Sequence, residues 1–267
     1  MRSRSQAVPA APGWRRSRPG DSVPISLVSV PLVLLLAPGL AAQQRTARLE
    51  PDHAYIWVSH GAPEGAVLRE LGITQWPDTA NVGEGAAWIG FQFENFFLEL
   101  TWVTDPQLFK DHWLSWHPPH QERANWRSTG ASPFALAFHR VDPEVRPLPA
   151  PFQVEEWWDE LGGYVADAGA GVPFLMVMGP RYAMPDPVWM TPEVHGMADN
   201  AAGIRRLTSW TLGTPEPLHH EALELLVEQG ALQLRTSAEH VLELTFDDRR
   251  QGKTFDARPA LPLMIHY

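Results

Sequence analysis

His53 and Glu99 are the first residues whose types and surroundings suggest chemistry. His53 lies near the start of an aromatic and β-branched run, Asp52 to Ser59, and Glu99 lies inside Phe96 to Val103. Both runs read as strands, in which side chains alternate between two faces. In the first, Ala54, Ile56 and Val58 share one face, and His53, Tyr55 and Trp57 share the other. In the second, Leu98, Leu100 and Trp102 form a wholly apolar face, opposite Phe97, Glu99 and Thr101. An apolar face belongs against a helix layer, so Glu99 is expected to point the other way, and His53 with it. An imidazole and a carboxylate among aromatics suit a divalent ion such as Zn²⁺, Mn²⁺, Fe²⁺ or Ni²⁺. They suit proton transfer equally, because burial raises a carboxylate's pKa toward neutrality.

Other polar groups carry weaker signals. His112, His117 and His120 sit close together, but Pro118-Pro119 breaks any helical spacing, and the stretch reads as a solvated loop. His219 and His220 are adjacent on a predicted helix, so they diverge and read as surface. Arg205-Arg206 fits an ordinary strand edge, or one of the pair entering the site to grip a carboxylate or phosphate. There is no Gly-rich phosphate loop, nucleophile elbow or zincin helix motif. The chain has no cysteine, which excludes disulfides, thiolate metal sites and thiol nucleophiles together.

The elements that would position these groups repeat. After the first strand, Gly61-Ala62-Pro63-Glu64 opens a short helix with Val67, Leu68 and Leu71 as its stripe and Gly72 as its cap. A hairpin follows, Ala87–Phe93 returning as Phe96–Val103 through Glu94-Asn95. Near the C-terminus, Ile204–Leu212 reads as a strand and Thr214-Pro215-Glu216 as a helix cap. Leu218, Ala222, Leu225 and Leu226 then make an amphipathic helix closed by Gly230, and strands follow at 232–236 and 241–246. Leu98-Glu99-Leu100-Thr101 recurs as Leu242-Glu243-Leu244-Thr245 at the matching place, which points to an internal repeat. Between the units, Pro133–Val141 and Phe174–Gly179 read as strands, Asp142–Phe152 as a Pro-rich connector and Pro180–Asn200 as loop.

The 267 residues are 44% hydrophobic and 19% charged, enough for a substantial core. Their 26 prolines and 12 tryptophans suggest rigid loops and an aromatic core or cleft. A formal net charge of −10 argues against a nucleic-acid partner, which needs clustered Lys and Arg. At the N-terminus, five arginines precede an apolar run, Val23 to Leu40, and small residues Gly39, Ala41 and Ala42. That order predicts a signal peptide over residues 1–42 and an exported protein, periplasmic or extracellular. Pro24, Pro31 and Pro38 make the run a poor spanning helix, so no stable membrane span is expected after cleavage.

Several segments resemble the glyoxalase-like branch of the vicinal-oxygen-chelate superfamily. They are Asp52-His53 opening a strand, Gly61 to Glu64, Phe97-Leu98-Glu99-Leu100-Thr101-Trp102, Gly203 to Thr208 and Arg258 to Leu263. The resemblance implies an α+β fold of two βαβββ modules forming a cupped mixed sheet. The modules would span residues 49–130 and 201–267, with a Pro-rich connecting segment and extra strands over 131–200. It implies a metal site in which His53, Glu99 and Glu243 match ligand positions. The fourth position falls near Ile204 to Arg206, where no ligand-type side chain stands, though His195 or Asn200 precedes it. Two functions follow. One is a lyase, isomerase or dioxygenase, with one divalent ion polarising vicinal oxygens while Glu99 or Glu243 moves a proton. Tyr55, Trp57, Phe97, Thr101, Arg205 and Arg206 would contact its small-molecule substrate. The other is a metal-free exported binding module without turnover. Either is compatible with an oligomer.

Overall fold

A computed structural model describes residues 46–76, 80–81, 85–111, 119–154, 162–166, 168–188 and 190–267. The predicted signal peptide, His112 and His117 lie outside the described residues. The fold is mixed α+β: two mixed sheets and a few short helices. Among the described residues, no helix is long and apolar enough to cross a membrane.

The larger sheet contains β1 (Leu49–Trp57), β2 (Ala80–Asn81), β3 (Ala86–Gln92), β4 (Phe97–Val103), β5 (Phe134–Arg140), β6 (Gln153–Val154), β7 (Gly163–Tyr164) and β8 (Phe174–Val177). Its order is β2-β3-β4-β1-β5-β8-β7-β6. β1 runs parallel to β4, β4 antiparallel to β3, and β3 antiparallel to β2. The same relations recur from β5 to β8, β8 to β7 and β7 to β6, and the two sets meet along the antiparallel β1–β5 pair. The stretch expected to be a connector therefore supplies half of this sheet. Two-residue strands such as β6 and β7 are too short to show alternation in a sequence. Their close approach also depends on a glycine: a Cβ on Gly163 would fall 2.2 Å from the carbonyl oxygen of Gln153.

The C-terminal region builds its own sheet from β9 (Leu207–Thr214), β10 (Gln233–Thr236), β11 (Val241–Phe246), β12 (Thr254–Asp256) and β13 (Leu263–His266), in the order β10-β9-β11-β13-β12. β11 lies antiparallel beside β9. In the N-terminal unit the corresponding last strand, β4, lies parallel beside β1. The two Leu-Glu-Leu-Thr strands thus occupy different topological places.

Apolar alternation decides how the sheets stack. Leu98, Leu100 and Trp102 of β4, and Phe134, Leu136 and Phe138 of β5, join Trp210, Leu212, Leu242, Leu244 and Phe246 of the small sheet in one core. Phe93 meets Phe246 at 4.5 Å between ring centroids, and Phe138 meets Trp210 at 5.3 Å. Burial of each such side chain contributes about 1.5–3 kcal/mol. Helix α1 (Ala66–Leu71) adds Leu68 and ends at Gly72, whose φ of +97° suits a residue without a Cβ. Helices α2 (Pro106–Asp111), α3 (His120–Ala124) and α4 (Trp126–Thr129) follow β4 and serve the opposite face; α5 (Pro192–Gly196) lies in the long loop before β9. Helix α6 (Glu221–Glu228) buries Ala222, Leu223 and Leu226. Its cap is His220, whose Nδ1 accepts from the Ala222 amide, and not Thr214, which ends β9. Pro217 disfavours helical geometry at Glu216, so the helix starts later than Thr214-Pro215-Glu216 suggests.

Residues 49–52 of β1 extend beyond the start of its pairing with β4 at His53–Phe97. A glutamine serves that edge. The Leu49 amide donates to Gln229 Oε1 at 2.8 Å, and Gln229 Nε2 donates to the Ala47 carbonyl at 3.3 Å.

Candidate functional site

One face of the large sheet is committed to the core; the site is on the other. The β1–β4 register sets His53 beside Phe97, Tyr55 beside Glu99, and Trp57 beside Thr101. All six sequence-derived candidates on these two strands therefore share one face, away from Ala54, Ile56, Leu98 and Leu100.

A β-bulge adds a residue that alternation hides. Pro51 pairs with Phe138 and His53 with Ala137, so Asp52 is the extra residue on β1. A bulge sets two successive side chains against one partner and re-aims them. Here Asp52 Oδ1 lies 2.6 Å from His53 Nδ1, and Oδ2 lies 3.2 Å from His139 Nδ1 on β5. The Met184 amide donates to the same Oδ2 at 2.7 Å. Burial raises the Asp52 pKa, but the contacts with His139 and His53 outweigh it and hold the carboxyl below its ordinary range. A carboxylate only accepts, so His53 Nδ1 carries the hydrogen, and any lone pair on the ring is on Nε2.

Glu99 is held differently. Its side chain is half-buried and makes no hydrogen bond or ion pair among the described residues. Burial pushes its carboxyl up to about 7, with His53 pulling it down and Asp52 pushing it further up. A carboxyl with that pKa populates both protonation states at neutral pH.

Aromatic side chains wall the pair. His53 stacks on Phe97 at 4.3 Å, Phe97 on Trp76 at 5.9 Å, and Trp88 meets Trp76 edge-on at 5.0 Å. Gly90 pairs with Glu99, and a Cβ there would come 2.8 Å from the Trp76 ring. Farther along, the buried Trp57 Nε1 and Thr101 Oγ1 have no hydrogen-bond partner among the described residues. Leaving buried polar atoms unpaired is costly, so both are available to a ligand or a water. Phe109, Ala124 and Trp126 pack on this end of the face, and Trp126 Nε1 donates to the Trp57 carbonyl at 2.9 Å. Arg123, wholly buried, donates to the carbonyls of Gly169 and Val172, and burial lowers its pKa to about 10. Burial also raises the Tyr55 pKa, with Arg123 opposing and Glu99 adding to the shift.

The remaining candidates lie elsewhere. Glu243 sits on β11 of the small sheet, bound by Arg235 and 3.3 Å from His266 Nε2. Arg205 is exposed and paired with Glu94 and Asp199; Arg206 is also exposed, 3.7 Å from Glu94. Both precede β9 and brace the β3–β4 turn instead of facing Glu99. His195 is exposed on α5, and Asn200 uses its amide on Ala198 and Ile204. His120 is buried, edge-on to Phe174 at 4.7 Å, so the solvated-loop reading does not hold for it.

The expected set of His53, Glu99 and Glu243 is not brought together. Among the described residues, no three or more His, Cys, Asp or Glu side chains are grouped to hold a metal. A set of two protein donors does not fit the divalent site that the resemblance implies. Sequence reasoning missed Asp52, His139, Arg123, Trp76, Trp88 and Gly90. The adjacent Asp52-His53 was the available signal, but a regular strand would send the two to opposite faces.

No protein-family model matches the chain, and no curated protein matches it. Among solved structures, a hypothetical protein from Staphylococcus aureus is similar at 8% identity, covering 81% of this chain and 98% of that one, with a TM-score of 0.45. A likeness at that level carries no argument about this chain.

Proposed function

We propose that the chain is a glyoxalase-like protein of the vicinal-oxygen-chelate type, and that the face bearing His53 and Glu99 transfers a proton on a small organic substrate. The repeated strand order on either side of the β1–β5 pair supports two modules side by side, the second within residues 134–177. The five-stranded sheet is then an addition to that plan, and Glu243 belongs to the addition.

The observation that carries the catalytic reading is Glu99: without a hydrogen-bond or ion-pair partner among the described residues, raised to about 7, and beside an imidazole that Asp52 orients. As a carboxylate it would take a proton from a carbon next to a carbonyl, the chemistry of an isomerase or lyase. His53 Nε2 would accept or return a proton at the neighbouring oxygen, and Trp57 Nε1 or Thr101 Oγ1 would donate to an oxygen farther along. In the second half, this face of β5 and β8 carries Ala135, Ala137, Phe174 and Met176, and the ligand-type side chain beyond them on β5, His139, has its Nδ1 turned to Asp52. That donor set favours acid–base work by His53 and Glu99 over a chelate shared between two modules. The same apolar residues favour the second reading, a module that binds without turnover.

Deuterium exchange separates the two. Wild-type protein in D2O with a panel of small α-hydroxyketones and α-hydroxyaldehydes should speed replacement of C–H by C–D, followed by proton NMR. Glu99→Gln should lose on the order of 10²–10⁴-fold of that rate. Equal exchange in the two proteins overturns the role of Glu99. Saturable quenching of tryptophan fluorescence without exchange in either would leave the binding module.

A further inference from the structure

A separate cleft opens where β1 overhangs β4. It has a volume of about 510 Å³ between residues 48–51 and the first half of β9, and Arg48, Glu50, His139, Met184, Arg206 and Gln233 are among its lining residues. The lining carries two arginines and a histidine against one glutamate, in a chain whose formal net charge is −10. A locally cationic hollow on an acidic protein concentrates anions.

Arg48 is not consumed by the fold, and Arg206 is held only at the distance of a long ion pair. The Arg48 side chain is exposed and makes no hydrogen bond or ion pair among the described residues. Arg206 is only 3.7 Å from Glu94, and that carboxylate already takes Arg205 at 2.7 Å. Ser209 lines the same cleft, while the Thr208 hydroxyl donates to the Thr245 carbonyl at 3.1 Å.

We infer that this cleft binds a small anion bearing carboxylate or phosphate groups, and that its occupancy is felt at His53 through Asp52. Guanidinium forks match both anion types. The route to His53 is short. His139 lines the cleft and lies 3.2 Å from Asp52 Oδ2, while Oδ1 of the same carboxylate holds His53 at 2.6 Å. An anion that draws His139 toward the cleft changes how Asp52 divides itself between its two imidazoles. The binding half of this inference stands apart from proton transfer at Glu99.

The test is a titration of the full chain with inorganic phosphate and, separately, with citrate, at constant pH and ionic strength held with KCl. Histidine ring resonances of His139 and His53 are followed by NMR. A saturable shift of His139, with a smaller one at His53, is expected. Response to phosphate alone, to citrate alone or to both supports the site and names its anion class. The double variant Arg48→Gln, Arg206→Gln should bind roughly tenfold or more weakly. Asp52→Asn should keep the His139 response and lose that of His53. Glu99→Gln should bind as wild type does, so loss of proton transfer leaves this result intact. A response matched by KCl alone, or one undiminished in the double arginine variant, overturns the anion site. A His53 shift that persists in Asp52→Asn overturns the link.

Discussion

Glu99 and Glu243 stand in identical tetrapeptides, each at the centre of a strand, yet the fold gives them opposite chemistry. Glu243 lies on a sheet face where Arg235 Nε donates to it at 2.7 Å and His266 approaches at 3.3 Å. Glu99 lies between strands that offer Tyr55 and Gly90, and no partner among the described residues neutralises it. Burial raises its carboxyl to about 7, with His53 only partly opposing the rise. A strand carboxylate becomes reactive through what the neighbouring strands withhold. The motif around it contributes little, since both copies have the same one.

The largest effect should come from the residue that makes the surroundings of Glu99 unlike those of Glu243. Asp52→Ala leaves the His53 imidazole and the Met184 amide without their buried acceptor and removes the carboxylate 3.2 Å from His139, and a denaturant melt at pH 7 should lose roughly 3–5 kcal/mol. The folded carboxyl is depressed below its ordinary value of 3.8, so its contribution is fully present above that value. It is lost as pH falls through the folded pKa, and the gap between variant and wild type should narrow in acid. An undiminished gap at pH 2 would place the loss in packing instead of charge.

Next is Glu99 itself, with the opposite sign. Its folded pKa lies above the ordinary 4.5, so the folded state keeps a proton that the unfolded chain releases. Wild-type stability should fall as pH rises from about 4.5 through 7, then level off. Glu99→Gln removes that slope: equal to wild type near pH 4.5, it should be more stable at pH 8 by roughly 2–3 kcal/mol. Parallel stability curves for the two proteins would break the contrast with Glu243.

The smallest effect is expected at Glu243. A partly exposed pair with Arg235 contributes little, so Glu243→Gln should change stability by about 1 kcal/mol or less. Added salt should erase most of that change. A larger, salt-insensitive loss would mean that the small sheet depends on its polar face.

Facing was legible in the sequence wherever strands are long and regular. The alternation of β1 and β4 put His53, Tyr55, Trp57, Phe97, Glu99 and Thr101 on one face, and the structure does the same. Partnership was less legible. The repeated Leu-Glu-Leu-Thr suggested that 201–267 mirrors 49–130, but strand neighbours come from long-range pairing that a local pattern does not encode. The half-sheet that does repeat those relations is built partly from two-residue strands. Asp52 was hidden by the rule that revealed His53, because one extra residue in β1 reverses the parity.

Gln229 has a consequence for association between chains. An unpaired strand edge is a template on which another extended chain can be laid. At the overhang of β1, a side-chain amide from just beyond α6 already occupies the Leu49 donor and the Ala47 acceptor, imitating a neighbouring peptide group. The gate is only as durable as the eight-residue helix that carries it. Fraying of α6 would expose the edge and the apolar stripe of Ala222, Leu223 and Leu226 in one event, two adhesive surfaces released together.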